Sequence, residues 1–210
     1  MEGLVSAYAH GAEKTVKVTD AVPLTYYDNR GLAAFYVAFG VTLSGFAPAQ
    51  NLMGLSVLLR MRHRFTVMTV FAAVAGTVAA TLSGPVLGAV PAPFPLLALT
   101  LALLAAAAAF TTKPLGTYFG PVGIPIATLL LTIGNASSGA TIGEDLLPGT
   151  AHVVSGILPP GAAVRAITNL SYFDGAHTVV PLLSPAAWAV FSALLVWGRT
   201  VYRATRGQQR

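Results

Sequence analysis

Residues 65–112 read FTVMTVFAAVAGTVAATLSGPVLGAVPAPFPLLALTLALLAAAAAFTT and contain no Asp, Glu, Lys or Arg. A membrane-crossing helix needs about 20 mostly apolar residues, so this stretch is long enough for two. It is interrupted at residues 84–95, GPVLGAVPAPFP, where the prolines cannot all occupy a helix interior. Transmembrane strands would alternate apolar and polar residues, which this stretch does not do. The pattern therefore predicts two spanning helices, near 66–86 and 94–112.

Three further blocks also lack charged residues, namely 31–59, 114–143 and 175–198. We expect one span in each: an overlong one over 31–59 with tilt or a kink at Pro48, one near 115–133 and one near 179–198. The predicted fold class is therefore all-α, a polytopic transmembrane bundle of five spans.

The composition supports a membrane protein and excludes several other classes. Of the 210 residues 55% are hydrophobic and 9% are charged, against about 25% charged in soluble domains. The net charge of +5 comes from basic residues in the gaps between apolar blocks, so no nucleic-acid partner is expected. The chain has no cysteine and no P-loop motif. We predict no enzyme activity, no cofactor and no metal site.

The basic residues predict the orientation in the plasma membrane, because Lys and Arg are retained on the cytoplasmic side. With a cytoplasmic C-terminus and five spans, the N-terminus lies outside. The cytoplasmic side then holds eight basic residues and no acid: Arg60, Arg62, Arg64, Lys113, Arg199, Arg203, Arg206 and Arg210. The outer side holds the other four basic residues and all seven acids.

Residues 134–178 are apolar in pieces, and glycines and prolines interrupt them too often for one crossing. This pattern favours two short re-entrant or interfacial helices before the last span over a plain extracellular loop. A helix should begin at the Pro159–Pro160 pair and run parallel to the outer surface. Candidate site residues in this element are Asn135, Glu144, Asp145, Arg165 and Asp174.

Two further groups of polar residues flank the spans. Arg60, Arg62 and Arg64 are either anchors on the cytoplasmic side or a contact for a partner subunit or anionic lipid. Gln50 and Asn51 should lie within the membrane, where they either join two helices or line a pathway.

Two chemical alternatives are weak. Ser137, Ser138 and His152 are similar to the serine–histidine pair of intramembrane rhomboid proteases, but no span separates them. A metal site from His152, His177 and the acids of 144–174 lacks any tight ligand spacing.

Three segments carry a family resemblance: VTDAVPLTYYDNRGLAAFYVAFG (18–40), GNASSGATIGEDLLP (134–148) and ILPPGAAVRAITNLSYFDGA (157–176). In order and spacing the chain resembles the membrane part of type-two ABC transporter permeases, most closely the phage-infection-protein-like branch. Such permeases usually have six spans and a large outer domain after the first. The resemblance implies that this chain lacks the first span and most of that domain. Residues 1–30 would then be an extracytoplasmic tail and 31–210 the transmembrane domain.

The resemblance also implies a function. The chain would be a subunit of an exporter for an apolar or lipid-like compound, acting as a homodimer or with a partner half-permease. A separate cytoplasmic ATPase would contact the coupling segment, 58–66, and 135–178 would be the re-entrant element. The alternative is a non-transporting membrane protein, a scaffold or a phage-receptor-like factor.

Overall fold

The computed structural model describes residues 23–54, 61–139 and 149–207. In these ranges the chain forms helices and no strand, which confirms the all-α prediction. The helices are α1 (Ala33–Gly54), α2 (Met61–Thr81), α3 (Phe94–Phe119), α4 (Gly123–Ala136), α5 (Gly149–Ile157), α6 (Pro159–Tyr172) and α7 (Val179–Gly207).

Three helical stretches in the described ranges are long and apolar enough to cross a bilayer: Arg62–Val86, Phe94–Ala136 and Val179–Gly198. The first meets the expectation of a span near 66–86 and the third that of a span near 179–198. The second covers the residues of both spans expected near 94–112 and 115–133. Helix α1 has 22 residues and no charged side chain, but it is not among the three. Five spans therefore stay a prediction.

Helices α2 and α3 form an antiparallel hairpin around the predicted break. Helix α2 passes into a π-helical turn, Leu82–Val86, which contains Pro85, and α3 begins after Pro93. The two helices approach so closely that a Cβ at Gly76 would collide with the backbone of Ala102. Small residues permit this approach between membrane helices.

The helix that contains the span expected near 94–112 extends beyond that span. Helix α3 continues through Lys113 and Pro114 as far as Phe119, and the chain turns at Gly120, whose φ of +62° favours glycine. Helix α4 then folds back along α3, since Ala127 and Leu131 share an apolar cluster with Ala108. At the turn, Gly123 lies close to the Leu115 carbonyl. With 14 residues, α4 is only about 21 Å long, shorter than the hydrocarbon core of about 30 Å.

Helix α3 lies at the centre of the bundle and packs against α1, α2, α4, α6 and α7. Its alanine run is buried on several sides at once, including Ala105, Ala107, Ala108 and Ala109. Alanine is small enough to let neighbouring helices approach from each direction. A separate apolar cluster joins Phe110 of α3 to Leu52 of α1 and Met68 of α2.

Helices α1, α3 and α7 run in the same direction. Gly45 of α1 lies beside Ala105 and Ala108 of α3, and the Thr111 and Ser192 hydroxyls are 3.4 Å apart. Leu52, seven residues after Gly45, contacts Lys113 of α3, so α1 and α3 advance together. Helix α7 begins after α6, whose end lies beside the start of α1. We call the end where α1, α3 and α7 begin the upper end of the bundle, and the opposite end the lower end.

Candidate functional site

Helices α5 and α6 form a hairpin that enters the bundle from the upper end. Its tip is the turn at Ile157 and Leu158, after which α6 begins at Pro159 as the sequence predicts. The Ser184 hydroxyl and the Trp188 indole N–H of α7 both donate to the Ile157 carbonyl, each at 2.8 Å. These residues lie five and nine positions into α7, so the tip is about 8–14 Å below the upper end at 1.5 Å per residue.

The hairpin tip also contacts the end of α4. A Cβ at Gly134 would lie 2.8 Å from the Leu158 Cβ and 3.2 Å from Pro160 Cδ. The glycine therefore lets the tip lie directly on α4. Three elements, α4, α7 and the hairpin, meet at this point.

Helix α6 does not lie on the surface, which corrects the sequence expectation. Its first six residues are all buried, and so are Ala166, Ile167 and Leu170. It packs against α1, α3, α4 and α7. The alanines and glycine in AAVRAI and PPGAA fit a tightly packed central helix, because small side chains permit close approach.

Arg165 connects the two arms of the hairpin. Its guanidinium Nη2 on α6 donates to the hydroxyl of the fully buried Ser155 on α5 at 2.7 Å. Gly156 leaves room for the guanidinium, since a Cβ there would lie 3.1 Å from Nη2. A charged donor strengthens this hydrogen bond relative to a neutral one. Glu144 and Asp145, the predicted acids of this element, lie outside the described residues.

Asn135 of α4 is the most unusual polar residue near the tip. Its side chain is 1% exposed, and neither polar atom of its amide group has a hydrogen-bond partner among the described residues. A buried unsatisfied polar group costs about 1–3 kcal/mol. Asn135 follows Gly134, which contacts the hairpin tip. The amide group of Asn135 is therefore buried close to the point where α4, α7 and the hairpin meet.

The upper end of α6 is tied to the start of α1 through Asp28 and Tyr172, which the sequence reading missed. Asp28 is 7% exposed, and its Oδ1 accepts the backbone N–H groups of Leu32 and Ala33 at 2.8 and 3.0 Å. The Tyr172 hydroxyl donates to Asp28 Oδ2 at 3.4 Å. Burial, and then the nearby Asp28 carboxylate, raise the pKa of Tyr172. An aspartate shortly before an apolar block was the available signal for the cap.

The remaining predicted residues are separate from the hairpin. Gln50 and Asn51 are exposed, and the Asn51 amide donates to the Ala47 carbonyl of its own helix at 2.8 Å. The Asn51 amide therefore bonds within its own helix, whereas one of the two expectations is a hydrogen bond to a neighbouring helix. Asp174 is exposed, with a φ of +50°, in the turn between α6 and α7.

The basic residues of the lower end divide into two environments. Arg62 is exposed and Arg64 half-buried at the start of α2, while Arg60 lies outside the described residues. Lys113 is buried, and its Nζ donates to the Leu52 carbonyl in the last turn of α1 at 3.5 Å. A cation is favourable there because a helix C-terminus carries partial negative charge.

No family model, curated protein or solved structure matches this chain. In the part of the chain that the structure describes, no three His, Asp or Glu side chains are grouped to hold a metal ion. The assignment of function therefore depends on the hairpin and on the distribution of charge.

Proposed function

We propose that the chain is a permease-like subunit of an ABC-type exporter in the plasma membrane. It moves an apolar or lipid-like compound and is powered by a separate cytoplasmic ATPase. It works as a homodimer or with a partner half-permease, and the bundle has five spans, with α4 as a short one. The upper end faces outward and the lower end faces the cytoplasm.

The observation that supports this proposal best is the α5–α6 hairpin. A hairpin that enters a membrane bundle and turns back is tolerated only where its backbone is hydrogen-bonded or buried against protein. The two bonds to the Ile157 carbonyl and the burial of α6 meet that condition. Such an element suits a pathway that opens and closes at its outer end.

The Asn135 amide fits the same role. Helix–helix packing alone does not account for a buried side chain whose two polar atoms lack partners in the described part of the chain. In the transport cycle, a shift of the hairpin tip or a polar group on the substrate would satisfy them.

The orientation is tested with single cysteines, for which the cysteine-free chain provides a clean background. We expect Asp174→Cys to react with an impermeant thiol reagent in intact cells. His63→Cys, exposed at the other end, should react only after the membrane is permeabilised. The reverse pattern would refute the orientation.

The partnership with an ATPase is tested through the arginines of the coupling segment. A triple change of Arg60, Arg62 and Arg64 to Gln should leave the chain in the membrane but remove the ATPase from pull-downs. Arg30→Gln, at the upper end, is the control and should leave the ATPase bound.

Two outcomes would contradict the proposal at different points. If the triple variant inserts normally and still binds the ATPase, the arginines are only membrane anchors. If the unaltered protein copurifies with no P-loop ATPase, the transporter assignment fails in favour of a non-transporting scaffold or phage-receptor-like factor.

A further inference from the structure

The side of the bundle between α1 and α2 contains an apolar cleft of about 410 Å³. It is lined by Tyr36, Gly40 and Ser44 from α1 and by Val78, Ser83 and Leu87 from α2 and its extension, among others. Its volume is in the usual range of small-molecule sites, about 300–1,000 Å³.

The cleft exists because small residues leave it unfilled. A Cβ at Gly40 would meet no atom within 4 Å, and Ala75 and Ala79 line the opposite wall. Large apolar side chains at its edge are exposed, including Val78, Leu82 and Leu87. This surface therefore gains free energy when a hydrocarbon group covers it.

The two serine hydroxyls of the cleft already have hydrogen-bond acceptors. The Ser44 hydroxyl donates to the Val41 carbonyl and the Ser83 hydroxyl to the Ala79 carbonyl, both at 2.8 Å. Their hydrogen-bonding needs are met inside their own helices. A ligand without polar atoms can therefore fill the space at no cost in lost hydrogen bonds.

The upper mouth of the cleft suits the polar part of a lipid. A Cβ at Gly88, next to Leu87, would lie 3.8 Å from the Tyr27 ring. Tyr27 and Tyr36 are 73% and 63% exposed, and tyrosine is enriched at the level of lipid headgroups. The exposed Arg30, three residues after Tyr27, provides a positive charge at this end for a lipid phosphate.

The length of the cleft suits part of a hydrocarbon chain. Residues 36–44 of α1 cover about 12 Å of helix axis at 1.5 Å per residue. A hydrocarbon chain is thinner than a helix about 10 Å in diameter, and it can extend along this length between α1 and α2, which are themselves in contact.

From these observations we propose that the α1–α2 cleft binds one acyl chain of a phospholipid, with the lipid phosphate near Tyr27 and Arg30. This site does not depend on the transport proposal, because a scaffold protein with the same cleft would bind the same chain.

The test uses a phosphatidylcholine with a photoactivatable diazirine in one acyl chain, in phosphatidylcholine nanodiscs that contain the full-length protein. After irradiation, mass spectrometry maps the labelled peptides. Labelling of residues 36–44 and 75–87 should exceed that of Val180 and Leu183, which are exposed on α7 and do not line this cleft.

The variant Gly40→Leu fills the cleft. It should lower cleft labelling about tenfold, because the loss of about two methylene contacts changes a binding constant by that factor. Gly198→Leu is the matched control, since a Cβ there also meets no atom within 4 Å, and it should leave cleft labelling unchanged. If Gly40→Leu does not fold, Ala75→Leu replaces it, with Ala73→Leu on the exposed side of α2 as control.

Two results would overturn the proposal. The first is equal labelling of the cleft and of α7, unaffected by Gly40→Leu, which would mean that lipid only passes over this surface. The second is a disulfide-linked dimer formed by Gly40→Cys but not by Gly198→Cys, which would mean that a second copy covers the cleft.

Discussion

Two glycines of α1 allow the close packing against α3 to be measured. A Cβ at Gly45 would lie 2.7 Å from the Ala108 Cβ and 2.9 Å from the Ala105 carbonyl oxygen, whereas ordinary contacts are 3.4–4 Å. Neither obstacle is the end of a flexible side chain, so the helices must separate. At Gly40 the added methyl group meets nothing within 4 Å.

The comparison of Gly45→Ala with Gly40→Ala isolates the cost of that separation. Both changes gain the same intrinsic helix preference, about 1 kcal/mol, which cancels in the difference. Overpacking then costs Gly45→Ala about 1–3 kcal/mol relative to Gly40→Ala. Gly40→Ala alone should be more stable than the unaltered protein.

The assay is unfolding by sodium dodecyl sulfate in mixed micelles, followed by far-ultraviolet circular dichroism. Equal free energies of unfolding for the two variants would refute the argument, because they would show that α1 and α3 are not in close contact at Gly45. A loss of stability in Gly40→Ala, with a larger loss in Gly45→Ala, would show instead that the helix preference does not operate in this environment.

Two further predictions concern the hydrogen bonds of the hairpin. The pKa of Tyr172 is raised, so its contribution to stability is complete below about pH 10, the ordinary tyrosine value, and is lost as the pH rises further. Tyr172→Phe should therefore reduce the loss of stability at alkaline pH. Asp28→Asn should lower the pKa of Tyr172 in an ultraviolet absorbance titration. An unchanged titration would contradict the contact between Tyr172 and Asp28. At the tip, Ser184→Ala or Trp188→Phe alone leaves the Ile157 carbonyl with one donor. The double variant should therefore lose about 1 kcal/mol more free energy of unfolding than the sum of the two single losses. Strictly additive losses in unfolding experiments would refute the shared acceptor.

The sequence alone predicts those parts of the fold that depend on local composition. Stretches without charges indicate helices, the prolines of 84–95 indicate the break before α3, and the Pro159–Pro160 pair indicates the start of α6. Each signal is a property of neighbouring residues and needs no knowledge of the packing.

Features that depend on distant contacts could not be predicted in this way. In the sequence, Lys113 resembles a loop residue, because it is a single charge between two apolar blocks. Its acceptor, the Leu52 carbonyl, lies at the end of another helix and is not visible in the local sequence. The burial of α6 depends on four neighbouring helices, and the role of Tyr172 depends on Asp28, far away in the sequence. Asn135 is recognisable as unusual only when its surroundings are known.

The central position of α3 bears on how the protein is assembled during synthesis. Its first partners, α1 and α2, precede it in the chain, so all three helices have been synthesised once residue 119 has been added. Helices α4, α6 and α7 are made later and dock on a core that already exists. The order of translation is thus also the order in which the neighbours of α3 become available: first α4, then the hairpin and last α7.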